Sequence, residues 1–224
     1  MEPEPSPSIL LNCVLEGDEE ELPKLLGDVG NPRHKKMLQH LMEQDVAGRS
    51  IVHIACMMGR SNIIQEFAKN GVSLNEKTAR GYLPIHFAAA WGHLETLHTL
   101  VELGADLEGL NFLDERAREI AFRYSKMDCV DFLDWAEAKQ ALQTYIASIQ
   151  AMLTDQEKVQ GRLLKDEKLR CISACKNKSE WLANTKNPTR QELLDQKQQL
   201  EDTVLPFLHK LTAPSPEKVK SGKF

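Results

Sequence analysis

Five residues, Gly48, His53, Ala55, Gly59 and Gly71, recur 33 positions later as Gly81, His86, Ala88, Gly92 and Gly104. A unit of that length cannot bury its own apolar face, so a chain built on such a period must stack its units side by side. The clearest copy runs from Gly81 to Asp106. Pro84 stands where a helix begins, with φ already set and no ladder amide lost. Ala88, Ala89 and Ala90 lack bulk and let a neighbouring unit approach. Gly92 and Gly104 follow helices, and Leu94, Leu97, Leu100, Val101 and Leu103 form an apolar face at helical spacing.

These letters resemble the ankyrin repeat. Members of that family open each unit with Thr-Pro-Leu-His, reverse the chain at Gly-His and close on Gly-Ala-Asp. The resemblance implies an all-α solenoid of helix pairs, with His53 and His86 tying neighbouring units together through backbone hydrogen bonds. Asp45 to Asn75 is the second clear copy, with Ser50 and Ile51 in place of the usual threonine and proline. Ser50 is expected to cap the following helix, its hydroxyl accepting from amides two or three residues on. Ile9 to Leu26 has the same outline, with Cys13 and Gly17 matching Ala55 and Gly59 at a separation of 42. About nine residues around Gly30 to Lys36 make up the difference, so this copy reads as a degenerate N-terminal cap with an insertion. Adding 33 to the best copy maps Ala88 to Ala121 and Leu97 to Val130, but His86 to Glu119 and Gly92 to Ser125. That decay fits a C-terminal cap ending near Trp135, giving two clear and two degenerate repeats over residues 9–136.

From Glu137 the glycine punctuation stops. Leu142, Tyr145, Ile146, Ile149 and Leu153 step along one helical face. Leu169, Ile172, Cys175, Trp181 and Leu182 follow in a second run. Leu193, Leu200, Val204, Phe207, Leu208 and Leu211 make a third. Pro188 suits a first helical turn, and Asn187 or Thr189 is placed to cap it. Residues 137–211 thus read as three helices in a small bundle. Their landmarks come in order: Leu142-Gln-Thr-Tyr145, Glu157-Lys-Val-Gln-Gly161, Trp181-Leu182, and Leu200 to Pro206. This order resembles the C-terminal helical lid of the Hsp70 chaperones. The sequence holds neither that family's nucleotide-binding domain nor its peptide-binding sandwich, so the resemblance implies no ATP hydrolysis. Segments 1–8 and 212–224, rich in Pro, Ser, Glu or Lys, are expected to be disordered.

With 42% hydrophobic and 27% charged residues the chain has the composition of a soluble globular protein. Its apolar runs fall short of a membrane span, and Met1 to Pro7 has no signal-peptide pattern, so an intracellular, most simply cytoplasmic, protein is expected. Five scattered cysteines suit reduced thiols. Residues 1–136 carry 13 Lys+Arg against 22 Asp+Glu, which disfavours nucleic acid as a partner of that part. No metal site or cofactor is expected. The spacing Cys171-x-x-x-Cys175 has no second ligand pair nearby, and Gly59-Arg60-Ser61 lacks the lysine of a phosphate loop. No nucleophile stands in a catalytic context, and an enzyme is not expected.

In the ankyrin family partners dock on hairpin tips and inner helices. Carried over by position, that surface falls on Arg49, Met57 and Met58, on Arg80, Tyr82 and Trp91, and on Phe112, Arg123 and Tyr124. Arg, Tyr, Trp and Met are the types that carry interface energy. Tyr82, Trp91 and Arg80 are expected to form its centre. The expectation is a non-enzymatic adaptor holding a protein partner. The alternative is a chaperone-linked protein acting through the C-terminal helices on Hsp70 machinery or unfolded clients.

Overall fold

The computed structural model describes residues 7–27, 32–155 and 162–212, and all regular structure in them is helical. It divides into two compact units between Ala136 and Glu137. The first unit holds α1 (Pro7–Glu16), α2 (Glu21–Leu26), α3 (Pro32–Met42), α4 (Ile51–Met57), α5 (Ser61–Lys69), α6 (Pro84–Trp91), α7 (Leu94–Glu102), α8 (Ala117–Arg123) and the start of α9 (Met127–Thr154).

The helices pair and stack as the period requires. The inner helices run in order, α1 against α4, α4 against α6 and α6 against α8, while α5 packs on α7 as an outer layer. Alanine makes the close inner approach possible: Ala55, Ala88 and Ala121 are all fully buried at successive 33-residue positions. The outer helices add Ile64, Phe67, Leu97 and Leu100 to the core.

The repeat histidines stitch units together in one chemical form. In His86, Nδ1 accepts from the Leu83 amide at 3.0 Å and Nε2 donates to the Gly109 carbonyl at 3.0 Å. His53 does the same with the Ser50 amide at 3.0 Å and the Glu76 carbonyl at 3.1 Å. An amide can only donate and a carbonyl only accept, so both rings are neutral with the proton on Nε2. Burial favours that form, pushing the His53 pKa down and that of His86 down to about 4. Ser50 stands at the N-cap of α4 as expected, with extended backbone, and its hydroxyl also lies 3.0 Å from His53 Nδ1.

The fourth unit keeps the repeat's backbone without its glycines. Gly48 and Gly81 turn the chain with φ of 76° and 75°, and Asp114, 33 residues on, does so at 57°. Gly59 and Gly92 have φ of 70° and 80°, and Ser125 has 57°. At the next such position, after Gly71 and Gly104, stands Glu137. The first compact unit ends there, at Ala136, but the helix does not: α9 runs unbroken through Met127–Thr154. Nothing between Trp135 and Leu142 breaks a helix.

The segment expected as an insertion runs into a helix, α3. Met37 and Leu41 of α3 are buried in the core, and His34 Nδ1 lies 2.7 Å from the Leu26 carbonyl.

In the second unit, Leu142, Ile146, Ile149 and Leu153 of α9 are buried, as are Cys171 and Cys175 of α10 (Lys165–Asn184) and Leu193, Leu200, Val204, Leu208 and Leu211 of α11 (Arg190–Thr212). Polar contacts fix α10 beside α11. Lys178 Nζ donates to Gln196 Oε1 at 2.6 Å and to Gln199 Oε1 at 2.8 Å, and Lys210 reaches Glu167 at 2.5 Å. Thr189 caps α11, its hydroxyl accepting from the Glu192 amide at 3.2 Å while Glu192 accepts from the Thr189 amide at 2.7 Å. Pro188 consequently precedes the cap and does not occupy the first turn, as α11 begins only at Arg190. Pro206 lies inside α11. Glu157 to Gly161, the termini before residue 7 and those beyond 212 lie outside the described residues.

Candidate interaction surface

Three hairpin loops precede the inner helices α4, α6 and α8, and a short polar side chain braces each. Asp45 Oδ1 accepts from the amides of Ala47 and Arg49 at 2.8 and 2.9 Å. Asn111 Oδ1 accepts from those of Leu113 and Glu115 at 2.8 and 3.0 Å, and Thr78 Oγ1 from that of Tyr82 at 3.0 Å. These are side-chain turns of the kind Asp, Asn and Thr favour. Asp45, Thr78 and Asn111 recur at the same 33-residue period, and that recurrence is their signal in the sequence. Neighbouring hairpins are joined in turn: the Ala79 amide donates to the Ala47 carbonyl and the Phe112 amide to the Arg80 carbonyl, each at 3.0 Å. The loops therefore form a continuous, fixed ridge.

Arg49, Arg80, Tyr82 and Phe112 lie on this ridge. Arg49 is exposed and paired with Asp45 at 2.7 Å, and its backbone and side-chain hydrogen bonds hold the Asp45 carboxyl below its ordinary pKa. Arg80 places its guanidinium 5.5 Å from the centre of the Phe112 ring. Tyr82 is half-buried, its ring 5.7 Å from Phe87, 5.9 Å from His86 and 5.9 Å from Phe112. Phe112 itself is 55% exposed.

Met57, Met58, Trp91, Arg123 and Tyr124 lie at the opposite ends of the inner helices. Met57 is half-buried, and Arg123 is exposed, paired with Glu115 at 2.9 Å and 4.9 Å from the Tyr124 ring centre. Met58, Trp91 and Tyr124 occupy one repeat position at 33-residue intervals and are 37%, 55% and 52% exposed. The expected centre of Arg80, Tyr82 and Trp91 is thus divided. Arg80 and Tyr82 join Phe112 on the ridge, whereas Trp91 is the last residue of α6, about 12 Å along an eight-residue helix. Trp91 is in line with Met58 and Tyr124.

The surface offers hydrogen bonding and apolar contact. All five thiols are free and buried, and burial raises their pKa, that of Cys175 to about 11. Such thiols are poor nucleophiles. Among the described residues no three His, Cys, Asp or Glu stand together as a metal group, and no helix is long and apolar enough to cross a membrane.

Stacked helix pairs, braced hairpins and stitching histidines define an ankyrin-repeat protein, and the family of ankyrin repeats (3 copies) matches residues 10–110. Relatives extend the likeness through the second unit. The chain is 50% identical to ankyrin repeat domain-containing protein 45 of Homo sapiens over 96% of its length and 80% of that protein's. With the Danio rerio protein of that name it shares 46% identity over 96% of both chains, and with that of Mus musculus 48% over 92% of this chain and 83% of the other. The chain belongs to the family of ankyrin repeat domain-containing protein 45.

Proposed function

We propose that this protein is a non-enzymatic adaptor that holds a protein partner on the ridge and inner-helix ends of its first unit. Ankyrin repeats are protein-interaction modules. One observation carries the assignment of the surface: Met58, Trp91 and Tyr124 are large, exposed and aligned at a position where the repeat needs only a residue before a turn. Phe112, with the Arg80 guanidinium over it, adds a second exposed aromatic on the ridge. Exposed aromatics rimmed by arginine are the makings of an interface hot spot. The buried thiols suit action inside the cell, where they stay reduced.

Trp91→Ala combined with Phe112→Ala is the test. Both side chains are exposed, so thermal melting changes little, and the account expects partner capture to be lost. A control pair on the outer helix α7, Glu95→Gln with Glu102→Gln, retains it. Capture that survives the first pair removes this surface from the proposal.

The second unit supports a second reading, in which its three helical segments form a bundle like the Hsp70 lid and engage chaperone machinery or unfolded clients. Its support is Pro206 lying inside α11, where the lid resemblance puts a proline. The full chain, added in molar excess to a denatured test protein, then slows its aggregation. Aggregation at the unassisted rate counts against the reading.

A further inference from the structure

We propose that the groove between α10 and α11, within the second unit, is a docking site for an acidic amphipathic helix of a protein partner that presents Glu-x-x-Leu-Leu-x-x-Glu along one face. The site is additional to the surface of the first unit and does not rest on it. The groove measures about 740 Å³. Its α10 wall is the stripe Arg170, Ser173, Ala174, Asn177 and Lys178, spaced i, i+3, i+4, i+7 and i+8, so one face of that helix is turned to it. Ser173 and Ala174, small residues between the two cations, leave room for a helix to approach. Ala174 and, on the α11 wall, Phe207 are half-buried and supply apolar surface.

Charge within the groove selects the occupant. Lys178 Nζ has three hydrogens, and the neutral oxygens of Gln196 and Gln199 take two of them at 2.6 and 2.8 Å. Burial lowers the Lys178 pKa, so a carboxylate brought to the third hydrogen offsets the cost of a charge held among neutral groups. Arg170 is exposed and has no carboxylate within ion-pair distance among the described residues. Glu167, one turn earlier, is held by Lys210 and by the Leu164 amide. Asp202 is the one acidic residue among those described that line the groove, and it accepts from Gln198 Nε2 at 2.9 Å. Arg170 and Lys178 are eight residues apart, about 12 Å along α10. Two glutamates seven residues apart on a docked helix share a face and span about 10.5 Å, so each reaches a cation while the leucines between them meet Ala174 and Phe207. The same cations disfavour the chain's own residues 213–224 as occupant, since Lys218, Lys220 and Lys223 outnumber Glu217 there.

Fluorescence anisotropy with the full chain tests this, using labelled Ala-rich helical peptides of about 15 residues. One carries the Glu-x-x-Leu-Leu-x-x-Glu face, one has Lys in place of Glu, and one has the same composition with the four residues spread round the helix. The Glu peptide is expected to bind about tenfold or more tightly than either of the others. Arg170→Gln and Lys178→Gln are each expected to weaken it about fivefold, while Lys176→Gln, which removes an exposed α10 charge outside the groove, changes it less than about twofold. Arg170 is exposed, so its variant keeps the melting curve of the wild type. Equal binding of the Lys or the spread peptide, an equal loss with Lys176→Gln, or no saturable binding overturns the proposal. So does affinity that appears only when residues 213–224 are deleted, which gives the groove to the chain's own tail, or a sedimenting dimer that Arg170→Gln dissociates, which gives it to a second copy. Trp91→Ala with Phe112→Ala is expected to leave peptide binding unchanged, so failure of this site and failure of the first unit's surface are read separately.

Discussion

Ser125 holds at φ 57° a left-handed turn that Gly59 and Gly92 make in the units before it. A side chain costs about 1–2 kcal/mol in that region, so Ser125→Gly is expected to raise stability by about 0.5–1 kcal/mol after the entropy of the unfolded glycine is subtracted. The urea midpoint reads it, and an unchanged or lowered midpoint contradicts the strain. His86 sets a pH dependence of known sign. Its ordinary pKa is 6.5, and burial, the largest cause, lowers it to about 4 in the folded chain. The unfolded chain therefore binds the proton first. The contribution of His86 is complete above pH 6.5 and is lost as pH falls from there toward 4, with a slope of up to about 1.4 kcal/mol per pH unit. Urea melts at pH 7, 5.5 and 4.5 are expected to show that slope, and His86→Asn is expected to lessen it. A variant as acid-sensitive as the wild type contradicts the assignment.

At the scale of elements, α3 and α9 show what a period can and cannot convey. The recurrence of Gly, His and Ala located the inner helices, since each letter answers a local demand for a turn, a stitch or a close approach. The nine or so extra residues of the first unit have no counterpart elsewhere in the chain, so α3 was invisible to that comparison. Its own i, i+4 pair, Met37 and Leu41, was the remaining signal. Leu41 is fully buried, and Leu41→Ala is expected to cost about 2–5 kcal/mol by chemical denaturation. A cost under about 0.5 kcal/mol contradicts a core role for α3. The length of α9 was legible in Glu137, which replaces the glycine that ends the corresponding helices. The site was legible in part. Met58, Trp91 and Tyr124 follow from arithmetic alone. The half-burial of Tyr82 does not, because it depends on Phe112 of the next hairpin and Phe87 of the next helix meeting its ring.

For the whole molecule, the first unit separates scaffold from surface. His53, His86, Asp45, Thr78 and Asn111 have their hydrogen bonds satisfied within the fold, and the inner alanines are consumed by packing. What the fold leaves unused is the row of exposed side chains at the inner-helix ends and the Arg80 and Phe112 pair on the ridge. That row is the central claim, and a photo-crosslinking amino acid installed in the full chain tests it most directly. Placed singly at positions 91, 112 and 124, and at 95 and 102 on the outer helix, it is expected to join covalently to one and the same partner from the first three sites and to none from the last two. A partner captured from 95 or 102 and never from 91, 112 or 124 contradicts the account.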